Sequence, residues 1–316
     1  MAKSILSDKR FHSEEAAYKF LESRIWPNGP VCPHCGGFER IGKMKGSATR
    51  VGLYKCYQCR KQFRVTVGTV FESSHVPLNV WLQAVALLTS SKKGISSNQL
   101  SRTLGVTLKT AWFMSHRIRL AMADGSFGTM LGSGGKVVEV DETAWGKIEG
   151  APKAYLHRGA SRRKPSGPNY NNTVLCLVER GGASRTFHVE GRASADLMPI
   201  LRAHVAPDAR LMSDEWGGYN EARKHVASHE TVKHGKEEYV RGDVHTNTVE
   251  GYFSVFKRGM RGVYQHCSEK HLHRYLAEFN FRYSNRVKLG IDDAMRADIA
   301  LKGIVGKRLT YRTTDH

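Results

Sequence analysis

The 316-residue chain has few acidic residues for its size. It contains 29 Asp and Glu against 49 Lys and Arg, which gives a formal net charge of +20 and a pI near 9.8. Residues 73–123 contain no Asp or Glu at all. Such an excess of positive charge favours a polyanionic partner. The lack of a basic amphipathic helix or a lipidation motif argues against a membrane surface as that partner.

Long apolar runs and numerous cysteines are also missing. The longest apolar run, Val80 to Leu88, is interrupted by Gln83 and is too short to cross a membrane. No signal peptide precedes the first charged residues. Only six cysteines are present, and four of them form two CxxC pairs, which favours a reducing cytosol and a metal site over disulfides. We therefore predict a cytoplasmic, nucleoid-associated protein.

The two CxxC pairs predict a structural zinc site. Twenty residues separate the pairs, as in a zinc ribbon with four sulfur ligands: Cys32, Cys35, Cys56 and Cys59. The alternative, four unrelated thiols, requires this spacing to be a coincidence. Segments 50–55 and 62–67 alternate as strands do. Eight basic residues and no acid occupy the stretch from Arg40 to Arg64, which favours contact with nucleic acid over a merely solvated face.

The acid-free stretch predicts a helix-turn-helix. Helical patterns cover Val80–Ser90, Ser97–Leu104 and Thr107–Met122, and the last two are joined by a tight Leu-Gly-Val-Thr turn. The expected small core consists of Leu100, Leu104, Val106, Ala111 and Ile118. The side chains left as candidates to enter a major groove are Lys109, Thr110, Phe113, His116 and Arg117. A generic three-helix packing module would show the same apolar pattern.

The second half of the chain predicts an α/β domain after a glycine-rich linker at 124–135. Strand-like and helical runs follow one another with long crossovers, which is typical of a mixed sheet with helices on both faces. The predicted strands are 137–141, 173–178, 185–189, 209–214 and 229–233, and the predicted helices are 195–205, 219–227, 244–258 and 268–283.

Three separated acids are the candidate catalytic residues. Asp141 and Asp214 each follow a strand-like run, and Glu250 lies early in a helical one. If the two strands are neighbours and the helix packs across their ends, the three carboxylates converge. Carboxylate oxygens suit Mg²⁺ or Mn²⁺ rather than zinc, and two such ions can support phosphodiester chemistry. The alternative is that these acids merely end their strands in water.

Two basic segments accompany these acids. Ser254, Lys257, Arg258 and Arg261 share one helical face with Glu250, where a DNA backbone could follow the stripe; an ordinary amphipathic helix with a solvated basic side is the alternative. The turn-rich loop 157–168 carries Arg162, Arg163 and Lys164, which suit a phosphate backbone.

The order of these motifs closely resembles that of the bacterial insertion-sequence transposases related to the eukaryotic Merlin elements, the ISXO-like family. The resemblance runs from Phe20 to Lys307, and its most specific part is HTNTVEGYFSVFKRG around Glu250; VEVDET surrounds Asp141 and SDEWGGY contains Asp214. It implies an RNase H-like domain with a DDE triad, in which Asp141 bridges two Mg²⁺ or Mn²⁺ ions while Asp214 and Glu250 each hold one. The 35 residues between Asp214 and Glu250 are a spacing known in DDE enzymes.

Residues beside the triad receive different predictions. Strand alternation should point Glu142 and Glu215 away from the site. His245 and Asn247 are expected to support the metal ligands or the DNA. Core packing is expected for Trp145 and Trp216, and Cys176 should be buried and inert.

The resulting domain prediction has six parts. These are an N-terminal helix at 1–30, a zinc ribbon at 31–72, a helix-turn-helix at 73–123, a linker at 124–135, an RNase H-like DDE domain at 136–290 and a C-terminal tail at 291–316. The predicted function is a DNA transposase that binds terminal inverted repeats and target DNA as a homodimer or higher homo-oligomer. The alternatives are a DNA-binding regulator with an inactive catalytic domain and a two-metal structure-selective nuclease.

Overall fold

The computed structural model of the protein describes residues 5–123, 129–150, 170–233, 235 and 237–310. These residues divide into two compact units. The first unit contains residues 5–123 and 291–310, and the second contains the described residues from 129 to 290. Within the described part of the chain, every helix is too short or too polar to cross a lipid bilayer.

The secondary structure is dominated by eight α-helices and ten short strands over the described residues. The helices are α1 (Glu14–Ile25), α2 (Leu78–Ser90), α3 (Ser97–Leu104), α4 (Leu108–Met122), α5 (Ser194–His204), α6 (Asn247–Gly259), α7 (Glu269–Ser284) and α8 (Asp293–Lys302). The strands are β1 (Ile41–Lys43), β2 (Tyr54–Cys56), β3 (Gln62–Phe63), β4 (Val137–Trp145), β5 (Asn172–Glu179), β6 (Ser184–Val189), β7 (Arg210–Ser213), β8 (Ser228–Thr231), β9 (Val240–Arg241) and β10 (Val244–His245).

Local sequence signals set the helix boundaries of the first unit. Thr107 caps α4 by accepting a hydrogen bond from the backbone N–H of Thr110 at 3.2 Å. Gly105 ends α3 with a φ of +66°, a left-handed conformation that glycine adopts without strain. Leu100 and Ala111 are fully buried, as the helix-turn-helix pattern predicts. Leu104 is only half-buried, so the core of this motif is smaller than expected.

The zinc-ribbon residues form a three-stranded antiparallel sheet in the order β1-β2-β3. Tyr54 and Phe63 stack with ring centroids 5.9 Å apart, and Trp26 meets both rings edge-on. These aromatic rings supply a core for strands that are otherwise too short to fold alone.

Residues 291–310 differ from the expected C-terminal tail. They form α8, which packs against α2 and α4 and buries Ala300, Leu301 and Ile304. The guanidinium of Arg296 is also buried, and it donates to the carbonyl of Thr89 at 3.1 Å. The segment is a structural part of the first unit because α2 needs an apolar partner on this side.

The second unit has the predicted mixed sheet, with five strands in the order β6-β5-β4-β7-β8. The first three strands are antiparallel, whereas β7 and β8 run parallel to β4. Two apolar cores cover opposite faces of this sheet. Val138 and Val140 point into the core beneath α5, and Cys176 and Val178 point into the core beneath α6 and α7.

Three local differences from the sequence prediction occur in this unit. Leu131, in the predicted linker, is buried and exchanges backbone hydrogen bonds with residues 204 and 206, so the described part of that segment belongs to the fold. Gly217–Lys224 is a 3₁₀-helix instead of an α-helix. Val244 and His245 belong to the β9–β10 hairpin, and α6 starts only at Asn247.

Candidate functional site

Asp141 lies in the middle of β4, not at its end as the sequence predicted. The antiparallel pairing with β5 continues to Trp145, whereas the parallel pairing with β7 stops at Glu139 and Met212. The half of β4 that carries Asp141 therefore extends beyond the end of β7. Asp141 therefore has no β7 partner beside it, and it is half-buried.

Asp214 and Glu250 come from the two neighbouring elements. Asp214 directly follows β7, and one of its carboxylate oxygens accepts the backbone N–H of Trp216 at 3.0 Å. Glu250 lies in the first turn of α6, where its Oε1 accepts the hydroxyl of Thr246 at 2.9 Å. These two hydrogen bonds restrict the orientation of the two carboxylates.

Burial and neighbouring acids disfavour the charged form of Asp141. Burial raises the pKa of Asp141 to about 7, and the charges of Glu142, Asp214 and Glu250 raise it in the same direction. Neighbouring like charges are unfavourable unless a cation or a proton is present. The donor set consists of carboxylate oxygens, so it fits Mg²⁺ or Mn²⁺ better than a softer metal.

Glu142 and Glu215 face away from Asp141, as strand alternation predicts. Glu142 is buried on the opposite face of β4, where its carboxylate pairs with Arg192 and accepts the hydroxyl of Tyr219. Glu215 is exposed and accepts the backbone N–H of Gly235 at 2.9 Å. Glu142 thus forms a structural ion pair with Arg192 on the face of β4 opposite Asp141, and Glu215 is a surface residue.

Glu139 was missed by the sequence analysis. It precedes Asp141 by two residues on the same face of β4, and its side chain is fully buried against the start of α6. An acid inside a run of valines is a signal that could have identified it, because a buried carboxylate needs dedicated partners.

The predicted supporting residues have mixed outcomes. His245 contacts Glu139, with its Nδ1 3.3 Å from Oε1. The backbone N–H of Asn247 lies 3.3 Å from the same His245 nitrogen, while its side chain is exposed. Cys176 is buried opposite Asp141, and burial raises its pKa well above the usual value for a thiol, consistent with an inert thiol.

The two tryptophans that were predicted to pack in the core have different environments. Trp145 packs against the core and meets Phe256 edge-on at 5.6 Å, as expected. Trp216 is 43% exposed, so the core position predicted for it is wrong. Its indole Nε1–H donates to the carbonyl of Arg192 at 3.0 Å, which holds the ring at the surface beside Asp214.

The basic stripe predicted on α6 faces solvent. Arg258 and Arg261 are exposed, and Lys257 is half-buried with its ammonium 6.0 Å from the Phe253 ring. Arg261 lies just past α6, in a π-helical turn, with its guanidinium 5.9 Å from Trp145. The stripe therefore leads away from Glu250 along a surface that is open to a polyanion.

The DNA candidates on α4 are only partly accessible. Lys109 is exposed, and Thr110 and Phe113 are half-buried. His116 and Arg117 are buried, so their predicted role as groove-reading residues is wrong. His116 packs edge-on against Trp112, whereas Arg117 donates to the carbonyls of residues 70, 72 and 309.

The reason for this correction is the position of α4 within the first unit. Its second half is enclosed by α2 and α8, so only the first turns reach solvent. The basic loop with Arg162, Arg163 and Lys164 lies outside the described residues.

The four cysteines converge as a zinc site requires. Their sulfur atoms all lie within 4.8 Å of one another, and within the described residues they are the one group of this kind. The Cys32–Cys59 and Cys35–Cys56 sulfur pairs are 3.6 and 3.7 Å apart, close to the edge of about 3.8 Å in a tetrahedron with Zn–S bonds of about 2.3 Å. Backbone N–H groups of Cys59 and Gln58 lower the pKa of Cys56 to about 7, whereas the pKa of Cys35 is raised to about 12, because the backbone N–H of Gly37, which lowers it, is outweighed by desolvation and the other three thiols. Zinc would bind all four as thiolates.

Two family models match the chain. Residues 133–284 match the ISXO2-like transposase domain, and residues 12–62 match the transposase zinc-ribbon domain. The first match contains the sheet with all three acids, and the second contains the four cysteines.

Individual proteins are similar as well. An uncharacterized protein in the transposable element ISH50 of Halobacterium salinarum is 31% identical over 291 residues, covering 87% of this chain and 92% of the relative. A chain of the crystal structure of the Mos1 mariner paired end complex with Mn shares 12% sequence identity with this chain. The TM-score is 0.28, and the match covers 70% of this chain and 74% of the Mos1 chain.

Proposed function

Because the chain belongs to the ISXO2-like family of DNA transposases, we propose that it cuts and joins DNA strands at the triad Asp141, Asp214 and Glu250. The observation that carries this proposal is the placement of the three acids on β4, directly after the neighbouring β7 and in the first turn of α6, together with the raised pKa of Asp141, which burial and the charges of Glu142, Asp214 and Glu250 produce. The substrates are the terminal inverted repeats of an insertion sequence and a target DNA.

Each acid has a separate task in this proposal. Asp141, central on β4, would bind two Mg²⁺ or Mn²⁺ ions, while Asp214 and Glu250 would each bind one. Such a pair of ions activates an attacking oxygen and stabilises the leaving oxygen of a phosphodiester. The three side chains project from three different elements, so the fold itself determines the spacing of the ligands.

The protein supplies orientation as well as charge. The backbone N–H of Trp216 holds the Asp214 carboxylate, and the Thr246 hydroxyl holds that of Glu250. A carboxylate oxygen can accept more than one partner, so these hydrogen bonds are compatible with ion binding. These contacts reduce the reorganisation that ion binding requires.

DNA is positioned by basic surfaces of both units in this proposal. Lys257, Arg258 and Arg261 would contact the backbone next to the triad, and Lys109 and Thr110 would contact the terminal repeat from the start of α4. Arg162, Arg163 and Lys164 extend the same role to the loop at 157–168. A homodimer or higher homo-oligomer on DNA would bring two element ends together.

The decisive experiment compares matched carboxylate variants on end-labelled DNA. Asp141→Asn, Asp214→Asn and Glu250→Gln should each abolish cleavage and strand joining in Mg²⁺ or Mn²⁺ while end binding persists. Glu215→Gln is the control, because this exposed acid follows Asp214 but points elsewhere, and it should retain activity. Wild-type cleavage rates in Asp141→Asn would remove the triad assignment.

The same assay separates the alternative activities. A structure-selective nuclease would cut DNA but leave supplied 3′-hydroxyl ends unjoined, whereas a regulator would bind ends without cutting them. Joined products are the result that the transposase proposal requires.

A further inference from the structure

A buried carboxylate outside the triad connects β4 to the helix that carries Glu250. The side chain of Glu139 has no solvent exposure. Its Oε2 accepts the backbone N–H groups of Thr248 and Val249 at 2.7 and 3.0 Å, and its Oε1 accepts the Thr248 hydroxyl at 2.7 Å. Glu139 therefore caps α6 from another element, in place of Thr246, whose side chain makes no capping bond.

The position of Glu250 depends on this cap. Glu250 is the fourth residue of α6 and lies in its first turn, where backbone N–H groups lack partners within the helix. The negative charge of Glu139 also interacts favourably with the positive end of the helix dipole. Without the cap, the turn that presents Glu250 would be the first part of α6 to fray.

Arg180 connects Glu139 to β7, the strand that Asp214 follows. Its Nε donates to Glu139 Oε1 at 2.5 Å, and its Nη2 donates to the carbonyl of His245 at 3.0 Å and to Met212 Sδ at 3.0 Å. Met212 precedes Asp214 by two residues on β7. The pair thus contacts all three elements from which the triad projects, namely β4, β7 and the start of α6.

We propose that Glu139 and Arg180 form a positioning pair for the triad, which holds the Glu250 carboxylate at a fixed separation from Asp141 and Asp214. The inference rests on the proposed function of the three acids. Glu139 itself is not an ion ligand, because its oxygens are enclosed by four donors from Thr248, Val249 and Arg180. Its charge is compensated locally by the guanidinium and by the helix end.

The test measures Mn²⁺ binding and backbone protection in the full-length chain. Glu139→Gln keeps the shape of the side chain but removes the charge and turns one acceptor into a donor that faces backbone N–H groups. The dissociation constant for Mn²⁺, followed by the EPR signal of the free ion, should rise about ten-fold or more. Amide exchange at residues 247–254 should accelerate, while binding to element-end DNA stays unchanged.

A matched control distinguishes positioning from general stability. Glu278 is another fully buried glutamate of the second unit, and it pairs with Arg282 and accepts the Tyr264 hydroxyl. Glu278→Gln should lower the melting temperature by a similar amount, yet leave the Mn²⁺ dissociation constant and the exchange of residues 247–254 unaltered. Asp141→Asn defines the background of Mn²⁺ bound elsewhere.

The outcomes separate this inference from the proposed function. The positioning role is overturned if Glu139→Gln binds Mn²⁺ with wild-type affinity. It is also overturned if Glu139→Gln and Glu278→Gln raise the Mn²⁺ dissociation constant equally. Tight Mn²⁺ binding by a wild-type chain that cuts no DNA overturns the proposed function alone. If Glu139→Gln does not fold, Glu139→Asp keeps the charge but shortens the reach to α6, and the inference requires it to weaken Mn²⁺ binding and loosen the same amides.

Discussion

Asp141 lies directly opposite Cys176 in the antiparallel pair of β4 and β5, and Cys176 is fully buried. The carboxylate therefore sits on an apolar floor that removes part of its hydration. On the other side of β4 the ladder to β7 has already ended at Glu139 and Met212. Asp141 thus has an apolar residue opposite it on one side and no strand partner on the other, so its charge state should be sensitive to a bound cation.

This environment predicts a pH-dependent effect of Asp141→Asn on stability. The pKa of Asp141 is about 7 in the folded chain and 3.8 in its ordinary state, so the folded form keeps a proton that the unfolded form has lost. Stability from this group is full below about pH 4 and is lost as the pH rises to about 7. Without Mg²⁺ or Mn²⁺, Asp141→Asn should therefore stabilise the chain more at pH 8 than at pH 5.5, by about 2 kcal/mol. Differential scanning calorimetry at both pH values checks this, and a gain that does not grow with pH would contradict it.

The zinc site predicts different effects for two cysteines. Cys32→Ser removes a sulfur ligand from the ribbon, so it should release the zinc and unfold the strands β1 to β3. Cys267→Ser changes a half-buried cysteine in the other unit and should leave the zinc content intact. Metal analysis of both purified proteins, together with near-UV circular dichroism, measures the outcome. Full zinc content in Cys32→Ser would exclude the four-sulfur assignment.

Accessibility along α4 predicts opposite behaviour for two basic residues. Lys109→Ala should weaken binding to element ends and lower the log–log slope against salt by about 1, with no change in melting temperature. Arg117→Met should lower the melting temperature instead, because three backbone carbonyls lose their buried donor. Fluorescence anisotropy across a salt series and a melting curve are the two measurements. Equal salt slopes for Lys109→Ala and the wild type would remove Lys109 from the interface.

The packing of α8 predicts that the first unit requires both ends of the chain. Deleting residues 291–316 exposes α2 and α4 where Ala300, Leu301 and Ile304 were buried; each of the two larger side chains contributes about 1.5–3 kcal/mol. A fragment of residues 1–123 should be unstable and bind DNA poorly, whereas joining 291–316 to it through a flexible linker should restore both properties. Hydrogen exchange in α2 and α4 reports the folding. A fully protected 1–123 fragment would contradict this dependence.

The sequence correctly predicted those features that depend on residues close together in the chain. Cysteine spacing identified the ribbon ligands, and Thr107 and Gly105 marked the turn before α4. Strand alternation placed Glu142 and Glu215 away from Asp141. These features depend on neighbouring residues and on fixed periodicities, so one chain is enough to read them.

The errors concern contacts between distant segments. Nothing near Arg117 shows that residues 70–72 and 309 will enclose its guanidinium, and α8 is too short to reveal its partner. Asp141 was placed at a strand end because the two acids interrupt an apolar run, but the β5 partner carries the strand onward to Trp145. Glu139 was overlooked for the same reason, since its partners lie 41 to 110 residues later along the chain.

The place of α8 in the first unit also has a consequence for synthesis. A ribosome makes the ribbon and α2 to α4 early, yet the apolar faces of α2 and α4 stay uncovered until residue 304 has left the exit tunnel. The complete second unit is translated in between. Residues 5–123 are therefore translated before the second unit, but their core is completed only after that unit, once α8 has been made.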